Sequence, residues 1–135
     1  MEVFDGFIAA IASEFKIKFI KDSDGAYTAD IEFQNGRTQK ILITLSKDEA
    51  GDRLIHYYSV IGKTKHDSLE LYKLSLELNS TLDYGAITLL DGTLLLRNSI
   101  LLNHCEPQRF MKSLIYIAAK ADELEEIFMG HYDEN

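Results

Sequence analysis

The stretch YTADIEFQNGRTQKILITL, residues 27–45, decides the fold. Tyr27, Ala29, Ile31 and Phe33 alternate with Thr28, Asp30 and Glu32, the period of two that marks a strand with one face buried and the other wet. Asn35-Gly36 tolerates the positive φ of a tight hairpin turn, and Ile41, Ile43 and Leu45 then resume the alternation. An antiparallel sheet is therefore the base of the fold.

Upstream, Lys16 to Lys21 reads as a short strand and Asp22-Ser23-Asp24-Gly25 as a turn. Before them Val3, Phe4, Phe7, Ile8, Ile11, Ala12 and Phe15 recur at helical spacing, with Glu2, Asp5, Ser13 and Glu14 outside the stripe. Downstream, a polar turn from Ser46 to Asp52 leads into a strand from Arg53 to Ile61, closed by Gly62. Leu54, Tyr58 and Val60 fall on one side of it and Ile55, Tyr57 and Ile61 on the other, so it sits centrally or has something over its outer face.

The next element is a helix capped by Asp67 or Ser68 and running to about Asn79, with Glu70 near its positive end. At about 100° per residue, Leu69, Tyr72 and Leu76 lie on one side and Leu71, Leu74 and Leu78 nearly opposite. Only one of these faces can pack on the sheet. Leaving three leucines in water forgoes several kcal/mol at ~25 cal/mol per Å², a large share of a domain's net stability. Tyr84 to Leu90 and Thr93 to Leu102 form a second hairpin turned by Asp91-Gly92, and Leu94-Leu95-Leu96 is again apolar on both faces. Pro107 suits the first turn of a last helix with the inward stripe Phe110, Leu114, Ile117, Ala118, Ala121, Leu124 and Phe128; Gly130 ends it, leaving a polar tail from His131 to Asn135. The expected fold is α+β: an antiparallel sheet of five or six strands with three helices in the order α-β-β-β-α-β-β-α, with residues 1–135 as a single domain.

Composition narrows the function. With 46% apolar and 27% charged residues, no run of ~20 apolar residues and no basic-then-apolar leader, the chain reads as globular and cytoplasmic, without a membrane partner. The single Cys105 fits a reducing compartment. A net charge of -8 repels phosphate backbones and excludes nucleic acid as a natural partner, whereas a basic or amphipathic protein segment suits that field.

Catalytic spacing is missing. Gly62-Lys63-Thr64 ends like a phosphate loop, but Tyr57 stands where its earlier glycine belongs, so the tripeptide reads as a strand exit. The histidines at 56, 66, 104 and 131 make no helical zinc pair, and His104-Cys105-Glu106 reads as a loop because adjacent side chains diverge. No serine stands in a nucleophile elbow, and the carboxylates from Asp122 to Glu126 read as a solvated face. No catalytic residue, cofactor or metal is expected, and an enzyme is the weakest of the readings.

Leu82-Asp83-Tyr84-Gly85, the Asp91-Gly92 hairpin, Leu94 to Leu102, and Ala118-Ala119-Lys120-Ala121-Asp122-Glu123-Leu124-Glu125 resemble the C-terminal pattern of the type III secretion chaperones and their YbjN-like relatives, and the element order is similar across nearly the whole chain. The resemblance implies a small acidic bacterial homodimer. In it the middle helix and second hairpin lie near the interface, and the first helix and early strands offer apolar grooves to an extended client. The expected function is thus non-catalytic protein binding, chaperone-like, with a regulatory or structural dimerisation module as the alternative. Leu71, Leu74 and Leu78, supported by Leu95 and Leu101, are the residues expected at the dimer or partner interface.

Overall fold

The computed structural model describes residues 2–64 and 69–132. Its elements are α1 (Glu2–Phe15), β1 (Ile20–Lys21), β2 (Tyr27–Glu32), β3 (Thr38–Lys47), β4 (Arg53–Lys63), α2 (Leu69–Asn79), β5 (Ala86–Leu90), β6 (Thr93–Leu101) and α3 (Pro107–Tyr132). The six strands form one sheet in the order β1-β2-β3-β4-β6-β5, antiparallel at every step. This is the expected α+β architecture, with the short β1 as the sixth strand.

The central hairpin pairs as its alternation requires. Tyr27 lies opposite Ile43 and Ala29 opposite Ile41, so the apolar members of both strands share a face. Ile41, Ile43, Ile55 and Tyr57 on that face have no exposed surface. All three helices feed the same core: Ile8 and Ile11 from α1, Leu71 from α2, and Phe110, Leu114 and Ile117 from α3. The predicted α3 stripe is buried throughout, from Phe110 at 0% exposure to Phe128 at 6%. Phe110 stacks edge-on with Phe7 at 5.3 Å and with Tyr57 at 5.1 Å, joining α1, α3 and the sheet. Ser113 donates to the Phe110 carbonyl, so the Tyr57 hydroxyl donates to Ser113 and accepts from Asn98, which leaves a buried phenol fully satisfied.

Several boundaries differ from the sequence reading. Strand β1 covers only Ile20–Lys21 of the expected Lys16 to Lys21. Gly62 does not close β4; the strand runs on to Lys63 past a register shift between Val60 and Gly62, and Thr64 then donates to the Gly92 carbonyl. Gly130 does not stop α3, which continues to Tyr132. Val3, assigned to the inward stripe of α1, is 54% exposed. The Asp67 or Ser68 cap lies outside the described residues.

Gly85 has the tightest surroundings of the described glycines. It has φ +75, and a Cβ there would lie 2.6 Å from the Arg97 carbonyl oxygen and 2.8 Å from Ile117 Cδ1. Only glycine lets the chain turn into β5 while β6 and α3 press on it.

Candidate protein-binding site

The two edges of the sheet are treated differently. On β5, the outward N–H of Ile87 donates to Asn79 Oδ1 at 2.6 Å and the Ile87 carbonyl accepts from Asn79 Nδ2 at 3.3 Å. One amide side chain at the end of α2 thus stands in for a strand and closes that edge at its middle.

The opposite edge is open. The amide of Asp22 donates to the Ala26 carbonyl at 2.9 Å, so Ala26 and, by alternation, Thr28, Asp30 and Glu32 aim their backbone groups toward β1. The amide of Phe33 donates to the Arg37 carbonyl at 2.9 Å on the β3 side, as the same alternation demands. Strand β1 pairs with β2 only at Tyr27 and Thr28. The backbone donors and acceptors of Asp30 and Glu32 therefore face outward with no strand opposite.

A cleft of about 490 Å³ lies along this edge. Ile17, Ile31, Phe33 and Ile115 give it apolar walls, and Lys16, Lys18, Lys40, Asp30 and Glu32 ring it with charge. Lys16, at φ 56, turns the chain out of α1 so that the following residues run beside the edge without pairing to it. The closed end of the edge is anchored on α1. The Tyr27 hydroxyl donates to Asp5, and Lys21 Nζ lies 3.1 Å from the same carboxylate. The Tyr27 hydrogen bond, followed by that of Lys21, holds the Asp5 carboxyl down at about 2. Burial and then Asp5 push Tyr27 up to about 12.

The expected interface leucines divide by exposure. Leu71 and Leu95 are buried at 4% and 6%, Leu74 and Leu78 are half-buried against the core, and Leu101 is 47% exposed. The most open side of α2 is the other one, with Leu69 at 75% and Leu76 at 71%. Ser75 marks the inward side: it is buried at 7% and donates to the Leu71 carbonyl at 2.9 Å, which satisfies its hydroxyl inside the helix. Leu89 and Leu90 at the tip of β5 are also half open or more. The helix with two apolar faces thus has one turned toward the core and one largely open, with Tyr72 on the open face still packed against the core.

The sheet face turned away from the core carries a polar cluster that sequence reasoning missed, because strands 43 residues apart build it. His56 Nδ1 lies 2.7 Å from Ser99 Oγ and 2.9 Å from an Arg97 amino group, and Nε2 meets Ser46 Oγ. A guanidinium can only donate, so Nδ1 accepts and the ring is neutral with its hydrogen on Nε2. Burial and the Arg97 charge lower the proton affinity of His56, which makes it a poor base for Ser99. Burial pushes the half-buried Cys105 thiol up, so it is a weak nucleophile at neutral pH. Among the described residues no three His, Cys, Asp or Glu side chains gather as a metal site.

No family model matches the sequence, and no curated protein matches it. A solved structure does: one chain of the HopA1-SchA chaperone-effector complex superposes with a TM-score of 0.62 at 12% identity, over 92% of this chain and 94% of that one. At this identity the likeness is one of fold. The expected α+β fold is one that the chain shares with that chain of the complex.

Proposed function

We propose that this chain is a non-catalytic, chaperone-like protein-binding protein of the bacterial cytoplasm that holds an extended client segment along the edge of β2 and works as a homodimer. The observation that carries the reading is the asymmetry of the edges. Asn79 occupies Ile87 on one, while on the other the backbone groups of Asp30 and Glu32 stand open above an apolar-walled cleft. An added strand gains main-chain hydrogen bonds there, and alternate side chains supply selectivity. The shared fold with a chain of a chaperone-effector complex supports the same use.

Glu32→Pro tests it. Proline removes one outward N–H and leaves the β3 side of the strand untouched, which edge positions tolerate. Affinity capture should recover a polypeptide with the wild-type chain and lose it with Glu32→Pro, while circular dichroism reports an unchanged fold. Equal recovery by both would refute the edge as the site.

A second reading, a dimerisation module with no client, is favoured by the bare α2 leucines. For either reading the self-contact is proposed on the open side of α2, where Leu69 and Leu76 are exposed; Leu74 and Leu78 on the opposite side and Leu101 on β6 also keep part of their surface exposed. Light scattering at micromolar concentration separates a dimer from a monomer.

A further inference from the structure

The open edge has a template for its occupant within the same chain. Ile20 lies opposite Thr28 and Lys21 opposite Tyr27. Extended backwards, that register sets Phe19 against Ala29, Lys18 against Asp30, Ile17 against Ile31 and Lys16 against Glu32. Each pair is complementary. The two lysines meet the two carboxylates on the outer face, and the apolar residues meet apolar residues on the core face.

The side chains already have this orientation. Ile17 and Phe19 rest against the core, while Lys16, Lys18, Asp30 and Glu32 are exposed. What the segment lacks is backbone pairing, which stops at Ile20. Lys16, Ile17 and Lys18 line one side of the cleft, and the edge they match lines the other.

We infer that the β2 edge takes a protein segment in which basic residues alternate with apolar ones, and that Lys16–Phe19 is a resident competitor that zips onto the same edge. The inference rests on the edge being the client site. The occupant's charge follows from the carboxylates at the contact, Glu32 opposite the neutral Thr38 and Asp30 opposite Lys40, which offsets part of its charge, and from the net charge of -8 behind them, which draws a basic strand. A client then displaces a weak copy of itself, and its apparent affinity falls by the fraction of time the edge is zipped.

The test uses the full chain and two blocked peptides: KIKFIK, the sequence of residues 16–21, and its charge-inverted form EIEFIE. Binding is read by fluorescence anisotropy for wild type and for Lys18→Pro, which removes the N–H that zipping directs at the Asp30 carbonyl. The double variant Lys16→Glu with Lys18→Glu serves if the proline disturbs folding. KIKFIK should bind wild type and bind either variant up to about twofold more tightly, the gain for an edge zipped no more than half of the time. EIEFIE should bind only after Asp30→Lys with Glu32→Lys. Equal affinity of KIKFIK for wild type and variants overturns the competitor and leaves the client edge standing. Equal binding of both peptides to wild type overturns the basic alternation. If neither peptide binds any form and the exchange rates of the Asp30 and Glu32 amides do not change, the edge reading itself fails and takes this inference with it.

Discussion

Gly85→Ala should be among the most damaging single-methyl changes in the protein. At φ +75 a non-glycine residue costs about 1–2 kcal/mol in backbone conformation alone. The new Cβ would also sit 2.6 Å from the Arg97 carbonyl oxygen, which cannot move without loosening β6, and 2.8 Å from Ile117 Cδ1, which is fully buried. Overpacking of this kind costs about 1–3 kcal/mol, for a sum of about 2–5 kcal/mol against a net stability of about 5–15 kcal/mol. At about 2–8 °C per kcal/mol, the melting temperature should drop by about 4 °C at the least and by about 40 °C at the most. Gly36→Ala is the matched control, because Gly36 has φ +84 but nothing within 4 Å of its would-be Cβ. It should show the conformational cost alone. Urea titrations of both variants, fitted with a common m-value, read the difference directly. Equal losses in the two would refute the close approach of Gly85 to β6 and α3.

Leu76→Asp should leave the stability of the single chain within about 0.5 kcal/mol, because the side chain is 71% exposed, and should convert a dimer to monomers in light scattering. Leu71→Asp, at 4% exposure, should instead unfold the protein. Asp5 titrates at about 2 in the fold against 3.8 ordinarily, so its depressed affinity for protons stabilises the native state above about pH 4, and that contribution is lost as the pH falls toward 2. Melting curves across that window should flatten in Asp5→Asn relative to wild type. Arg37 links the first hairpin to α3 through Asp122 at 2.7 Å and through Glu126, at a part-exposed site. Arg37→Ala should lower the stability slightly at low salt and less at about 1 M salt, as parallel denaturant titrations would show.

Much of this protein follows from local pattern. Alternation from Tyr27 to Leu45, the Asn35-Gly36 and Asp91-Gly92 turns and the apolar stripe of α3 each specify their element through neighbours a few residues away, and the fold carries all of them. The two leucine faces of α2 were equally legible. Which one turns inward was not, because a helix with opposed apolar stripes is nearly symmetric to its own sequence. The choice depends on Asn79 reaching Ile87, a contact that exists only once α2 lies beside β5. The open edge is likewise a tertiary outcome. Lys16 to Lys21 has the alternation of a full strand, yet Ile17 and Phe19 reach the core while their backbone stays apart from β2, and so Asp30 and Glu32 have no strand opposite. Periodicity sets which residues face the core; where backbone pairing stops is decided by how the helix end at Lys16 delivers the chain to the sheet.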